Sequence, residues 1–163
     1  MSLELKKIDK AGVAHALDKA ERYRLLNDPA QAESICLDVL AVDPSNQQAL
    51  RALILSLTDQ FGDGGAAFAT AARARVRELA DEHERAYYTG IVFERETRAY
   101  LARKNVVRSA AYDGFRHAME HYERAEAVEQ LRVDAILRWN SCARTIEREK
   151  LGPAAREPEL PLE

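Results

Sequence analysis

Two cysteines, five prolines, seven glycines and one tryptophan in 163 residues leave several architectures without their materials. Cys36 and Cys142 stand far apart, so no disulfide framework is available, and neither has a Cys or His at metal-ligand spacing. Each lies in an apolar helical stripe and reads as a buried, reduced thiol, which makes the cytoplasm the expected compartment. β-branched residues never alternate over a useful length, so strands are not expected. No apolar run approaches the ~18 residues of a membrane span. The opening MSLELKKIDKAG has no continuous apolar stretch after its lysines and does not read as a signal peptide. Charge of one sign is also missing. With 24 basic and 27 acidic residues the net charge is −3, which gives no field to gather nucleic acid.

What remains is a helix-forming composition. Hydrophobic residues make up 47% and charged residues 31%, with Ala, Leu, Glu and Arg prominent. A chain this long buries a core unaided, so an all-α domain over 1–150 is expected. Residues 151–163 hold three prolines and three glutamates and form a tail of low apolar content, expected to be disordered or to lie extended on the domain. Local groups of arginine (Arg73, Arg75, Arg77, then Arg98, Arg103 and Arg108) are interleaved with acids and read as solvated helix faces.

Punctuation and periodicity place about seven helices. The first runs from about Lys10 to Leu26 with Val13, Leu17, Ala20 and Tyr23 in register. Asp28 as N-cap and Pro29 at the first helical position open the second, which stops at Asp43-Pro44. Ser45 or Asn46 caps the third, whose apolar set from Ala49 to Leu57 covers more than half its circumference and so needs neighbours on two sides. Gly62-Asp63-Gly64-Gly65 reads as a helix–helix turn. It follows a helix and lacks the Lys-Ser/Thr of a phosphate loop. A fourth helix ends near Leu79–Ala80, and Asp81 with Glu84 forms a capping-box variant before a fifth from Glu82 to about Arg103. The sixth spans about Val107 to Ala125 and the seventh about Val128 to Glu149.

The stretch AQAESICLDVLAVDPSNQQALRALILSL, Ala30 to Leu57, is helix, Pro-capped turn and helix, and it resembles the tetratricopeptide repeat. Ala20 and Tyr23 fall on the small and aromatic sites of that family's first helix. Ala32, Val39 and Pro44 fall on the small sites and terminal proline of its second, with Cys36 at an aromatic site. Thirty-four residues on stand Ile54, Leu57 and Ala66, with Glu78 where proline would be. Gly90 and Phe93, then Ala111, Phe115 and Ala118, mark a third unit stretched by about nine residues, and the helix from Val128 would be the closing cap.

The resemblance implies a right-handed α-solenoid of antiparallel helix pairs. It also implies a non-enzymatic adaptor, scaffold or small chaperone without cofactor, binding a protein or peptide in a concave groove. The groove residues it implies are Leu17, Glu21, Arg24, Gln48, Arg51, Leu55, Glu84, Tyr87, Ile91 and Glu94. Leu55 and Ile91 stand where a carboxylate clamp would want asparagines, so an apolar-anchored peptide suits the groove better. Two other readings compete. Val133, Ile136 and Leu137 on the last helix form an extra apolar set that would pair with a second copy in a homodimer. His117, Glu120 and His121 match the H-x-x-E-H pattern of zinc hydrolases, with Glu123 or Glu147 as a third ligand. Against zinc, the core face of that helix is Phe115, Ala118, Met119 and Tyr122, which turns the two imidazoles toward solvent.

Overall fold

The computed structural model describes residues 2–156 and is all-α over them. A short 3₁₀ turn, Lys10–Gly12, leads into α1 (Val13–Leu25); α2 (Pro29–Val42), α3 (Gln47–Thr58), α4 (Phe61–Gly64), α5 (Ala66–Val76), α6 (Glu82–Leu101), α7 (Arg108–Ala125) and α8 (Glu129–Arg148) follow. Three helix starts, those of α2, α3 and α6, carry a side-chain cap. Asp28 accepts from the Gln31 amide with Pro29 at the first position, and Asp81 accepts from the Glu84 amide at 2.8 Å. At α3 the cap is Asn46, accepting from Ala49 N at 2.9 Å, while Ser45 lies outside the helix.

The region after α3 departs from the expected turn. Phe61 through Gly64 form one helical turn, α4, anchored by buried Phe61, and Gly65 at φ +62° redirects the chain into α5. There are thus eight helices among the described residues where seven are expected. The extra turn also shifts the repeat. Ala66, expected at a buried small site, is exposed, and Ala69 and Val76 take the places that Ala32 and Val39 hold in α2. The second helix of each pair then carries the same buried couple seven residues apart: Ala32 and Val39, Ala69 and Val76, Ala111 and Ala118. Helix α5 stops at Val76, short of Leu79, whose side chain is nonetheless buried in the following turn.

Each long helix packs against its neighbours in sequence, and α1, α3, α6 and α8 also touch in a row. The most extensive contact is between α6 and α7, where two glycines leave room for side chains of the other helix. A Cβ on Gly90 would lie 2.6 Å from the Tyr122 ring, and one on Gly114 would lie 2.2 Å from Thr97 Oγ1. Buried Leu151 returns to the end of α8, its amide donating to Ile146 O at 2.9 Å, so the expected tail begins as part of the fold. Gly152 to Arg156 carry no helix, and the rest of the tail, 157–163, lies outside the described residues.

Candidate functional site

Two faces of α6 compete as a binding surface, and the side chains treat them differently. One face turns toward the row of α1, α3 and α8. Along it Arg51 pairs with Glu84 at 2.9 Å, joining α3 to α6. Asp59, just after α3, takes Arg24 of α1 at 2.8 Å and Arg95 of α6. Glu94 is 1% exposed and takes three donors: Tyr122 Oη at 2.6 Å, Arg98 at 3.0 Å and Arg138 of α8 at 3.4 Å. Arg98 reaches on to Ser141 and Thr145 of α8. These contacts weld the row together.

The expected groove therefore needs correction. Leu17, Ile91 and Glu94 are buried, because each is spent on the core or on the Glu94 network, and they offer no surface to a ligand. Arg24, Arg51 and Glu84 are engaged in ion pairs between helices. Tyr87 is half-buried, stacked edge-on to Tyr88 and tilted against Tyr122 at 5.8 Å. Leu55 is half-buried, and only Glu21 and Gln48 stand in the open.

Burial has an electrostatic signature here. The Tyr122 hydroxyl is pushed far above its ordinary range, first by burial and then by the adjoining Glu94 carboxylate. Burial raises Tyr88 to about 12, Cys36 to about 11 and Cys142 to about 12, with Glu94 adding to the last. Thiols held protonated this way are poor nucleophiles. Burial acts to lower Arg138, but Glu94, Tyr122 and Tyr87 outweigh it and hold the guanidinium firmly charged.

The opposite face of α6 is open. Between α5, α6 and α7 lies a cleft of about 530 Å³. Its walls are Phe61, Ala69, Phe93 and Tyr100, with Ala66, Ala110 and Gly114 leaving the space. Its rim carries Arg73, paired with Glu96 and lying over the Phe93 ring, together with Arg103, Asp113 and His117. The cleft exists because glycine and alanine stand between its aromatic walls and fill little of the space. A second, more polar hollow of about 550 Å³ continues the seam toward the start of α6, lined by Glu82, His83, Arg85, Thr89, His121 and Arg124. Sequence periodicity misses this seam. Its one signal is that α6 and α7 are 20 and 18 residues long against 11 for α5, which leaves part of their length uncovered.

The histidines of the H-x-x-E-H stretch belong to this seam. His117 is exposed, His121 half-buried, and their rings lie 5.4 and 5.5 Å from Phe93. His121 Nδ1 lies 2.8 Å from the His117 carbonyl, and Glu123 accepts from Trp139 Nε1 at 3.0 Å. Among the described residues no three His, Cys, Asp or Glu side chains converge on a common point, so the spacing is not matched by a ligand set. No described helix is long and apolar enough to cross a membrane. Comparison with known proteins finds no family model, no characterised protein and no solved structure that matches this chain.

Proposed function

We propose that the chain is a non-enzymatic interaction module, a tetratricopeptide-like solenoid working as an adaptor or small chaperone in the cytoplasm. Its seat for a peptide is the α5–α6–α7 cleft. The observation that carries this reading is the contrast between the two faces of α6. The face toward α1, α3 and α8 is closed by ion pairs, whereas the other keeps about 530 Å³ of aromatic-walled space with charges of both signs at its rim. That volume lies within the range of ligand sites, ~300–1,000 Å³. Apolar walls suit a helical or extended segment with apolar anchors, and the mixed rim sets its direction. The recurring buried couple of α2, α5 and α7 supports the repeat reading.

The test is differential capture. Ala66 and Ala110 are exposed and line the cleft, so Ala66→Trp and Ala110→Trp fill it without entering the core. Proteins retained from extract by the native chain are expected to fall at least ~10-fold with either variant, the loss of one buried anchor. They persist with Glu21→Arg and Gln48→Arg on the opposite row. Loss with the second pair and retention with the first would transfer the site to the row.

A further inference from the structure

The two ends of the helix row expose aliphatic side chains at different places along their helices. The outer surface of α1 exposes His15, Asp18, Lys19 and Arg22 along its middle, and Leu25 and Leu26, at 82% and 68%, at its C-terminal end. The outer surface of α8 exposes Val133 at 66%, Ile136 at 38% and Leu137 at 61%. On a helical wheel these three sit together, roughly opposite the buried Ala135 and Cys142. They make a compact apolar stripe at the centre of a helix ~30 Å long. Glu147 stands a turn further along the same face, and the residues that flank the stripe directly are of opposite sign: Glu129 on its N-terminal side, Arg144 on its C-terminal side. Among the described residues neither is in an ion pair. Arg132, a base near the acidic end, turns back to donate to the Glu126 carbonyl.

We infer that α8 is the contact surface for a second copy of this chain, the two α8 helices lying antiparallel about a two-fold axis between Ile136 and Leu137. In that register Ile136 meets the partner's Leu137, Val133 meets the partner's Asn140, and Glu129 meets the partner's Arg144 at both ends of the seam. A parallel pairing sets acid against acid and base against base. A head-to-tail stack centred on the stripe lays it on the charged middle of α1, burying His15, Asp18, Lys19 and Arg22 without partners. The two-fold arrangement covers the stripe with a second stripe and matches Glu129 with Arg144 at both ends. It leaves the α5–α6–α7 cleft open, so a dimer would present two peptide seats.

Light scattering across a concentration series tests the pairing. The native chain is expected to approach twice its 18.3 kDa as concentration rises. Leu137→Glu is expected to return it to 18.3 kDa with unchanged helicity and melting, because the side chain is exposed. Glu129→Arg and Arg144→Glu are each expected to weaken association ~10-fold, but their one-to-one mixture is expected to recover it, since unlike variants restore both charge pairs. A chain that stays at 18.3 kDa at every concentration overturns the inference, as would a partner of another kind on α8. Dimers indifferent to Leu137→Glu, or a variant mixture that fails to recover, overturn it equally.

Discussion

Two carboxylates, Asp59 and Glu94, each hold two arginines, and they differ in what surrounds them. Asp59 joins Arg24 of α1 to Arg95 of α6 with all three side chains between 21% and 24% exposed. Glu94 joins Arg98 to Arg138 of α8 at 1% exposure and takes the hydroxyl of fully buried Tyr122 as well. The charge pattern is nearly the same. Water reaches every member of the first cluster, but in the second it reaches only the two arginines, 35% and 32% exposed, and not the carboxylate or the Tyr122 hydroxyl, so Asp59 can lose a partner cheaply and Glu94 cannot. Helix α6 carries both, Arg95 reaching back and Glu94 reaching forward, which makes it the hub of the row.

Replacing Glu94 by Leu should show the largest effect. It strands the Tyr122 hydroxyl, and Arg98 and Arg138 lose their acceptor, for an expected loss of about 4 kcal/mol in urea unfolding. Glu94→Gln keeps an acceptor for Tyr122 and is expected to cost about half as much. Equal losses for the two variants would show that the charge, not the hydrogen bond to Tyr122, carries the cluster.

Alkaline pH comes next. Burial raises Cys36 from an ordinary 9.0 to about 11, so between these values the unfolded chain gives up a proton that the native state keeps. The native state binds more protons there, and its stability falls as pH rises. The contribution is complete below about pH 9 and lost toward pH 11, amounting to about 3 kcal/mol for Cys36 alone. Cys142, raised to about 12, acts in the same direction. Urea unfolding at pH 8 and pH 10.5 measures the slope. Cys36→Ala is expected to be less stable at pH 8 but flatter above pH 9, and an unchanged slope would remove Cys36 from the account.

These two clusters also show where the sequence was readable. Small residues and caps act within one or two turns, so Ala20, Ala32, Cys36, Asp28 and Asp81 could be placed from spacing alone, and all of them sit as their periodicity implies. Glu94 meets Tyr122 and Arg138 from 28 and 44 positions away, and no local period encodes that an acid at a solvent-facing step of α6 will be covered by α8. Hence Glu94 and Ile91 read as groove residues and are core. The glycine cluster misled for a related reason: Phe61 anchors a turn of helix that Gly62 and Gly64 disfavour by propensity, a tertiary contact overriding a local one. The cleft was illegible because it is made of what α5 does not cover.

Gly90→Ala should rank third. In an exposed helix this change gains roughly 1 kcal/mol of propensity, but here the new Cβ would sit 2.6 Å from the Tyr122 ring, whose hydroxyl is tied to Glu94. The ring cannot yield without breaking that bond, so a net loss of about 2 kcal/mol is expected in urea unfolding. Adding Glu94→Gln should relieve part of the loss by loosening the ring, and strict additivity would show the two sites to be independent.

Asp59→Asn should be the smallest change and the one that sharpens the comparison most. It removes the charge that Arg24 and Arg95 share while keeping shape and an acceptor oxygen. Both arginines lie close enough to water to be solvated instead. An expected loss of about 1 kcal/mol, shrinking further in high salt, follows from screening at partial exposure. Glu94→Gln measured in the same salt series should change less, because bulk ions reach its arginines but not a carboxylate at 1% exposure. If the two substitutions responded to salt alike, burial would not be what separates the two clusters. The rigidity of the α1–α3–α6–α8 row would then rest on its aliphatic packing instead.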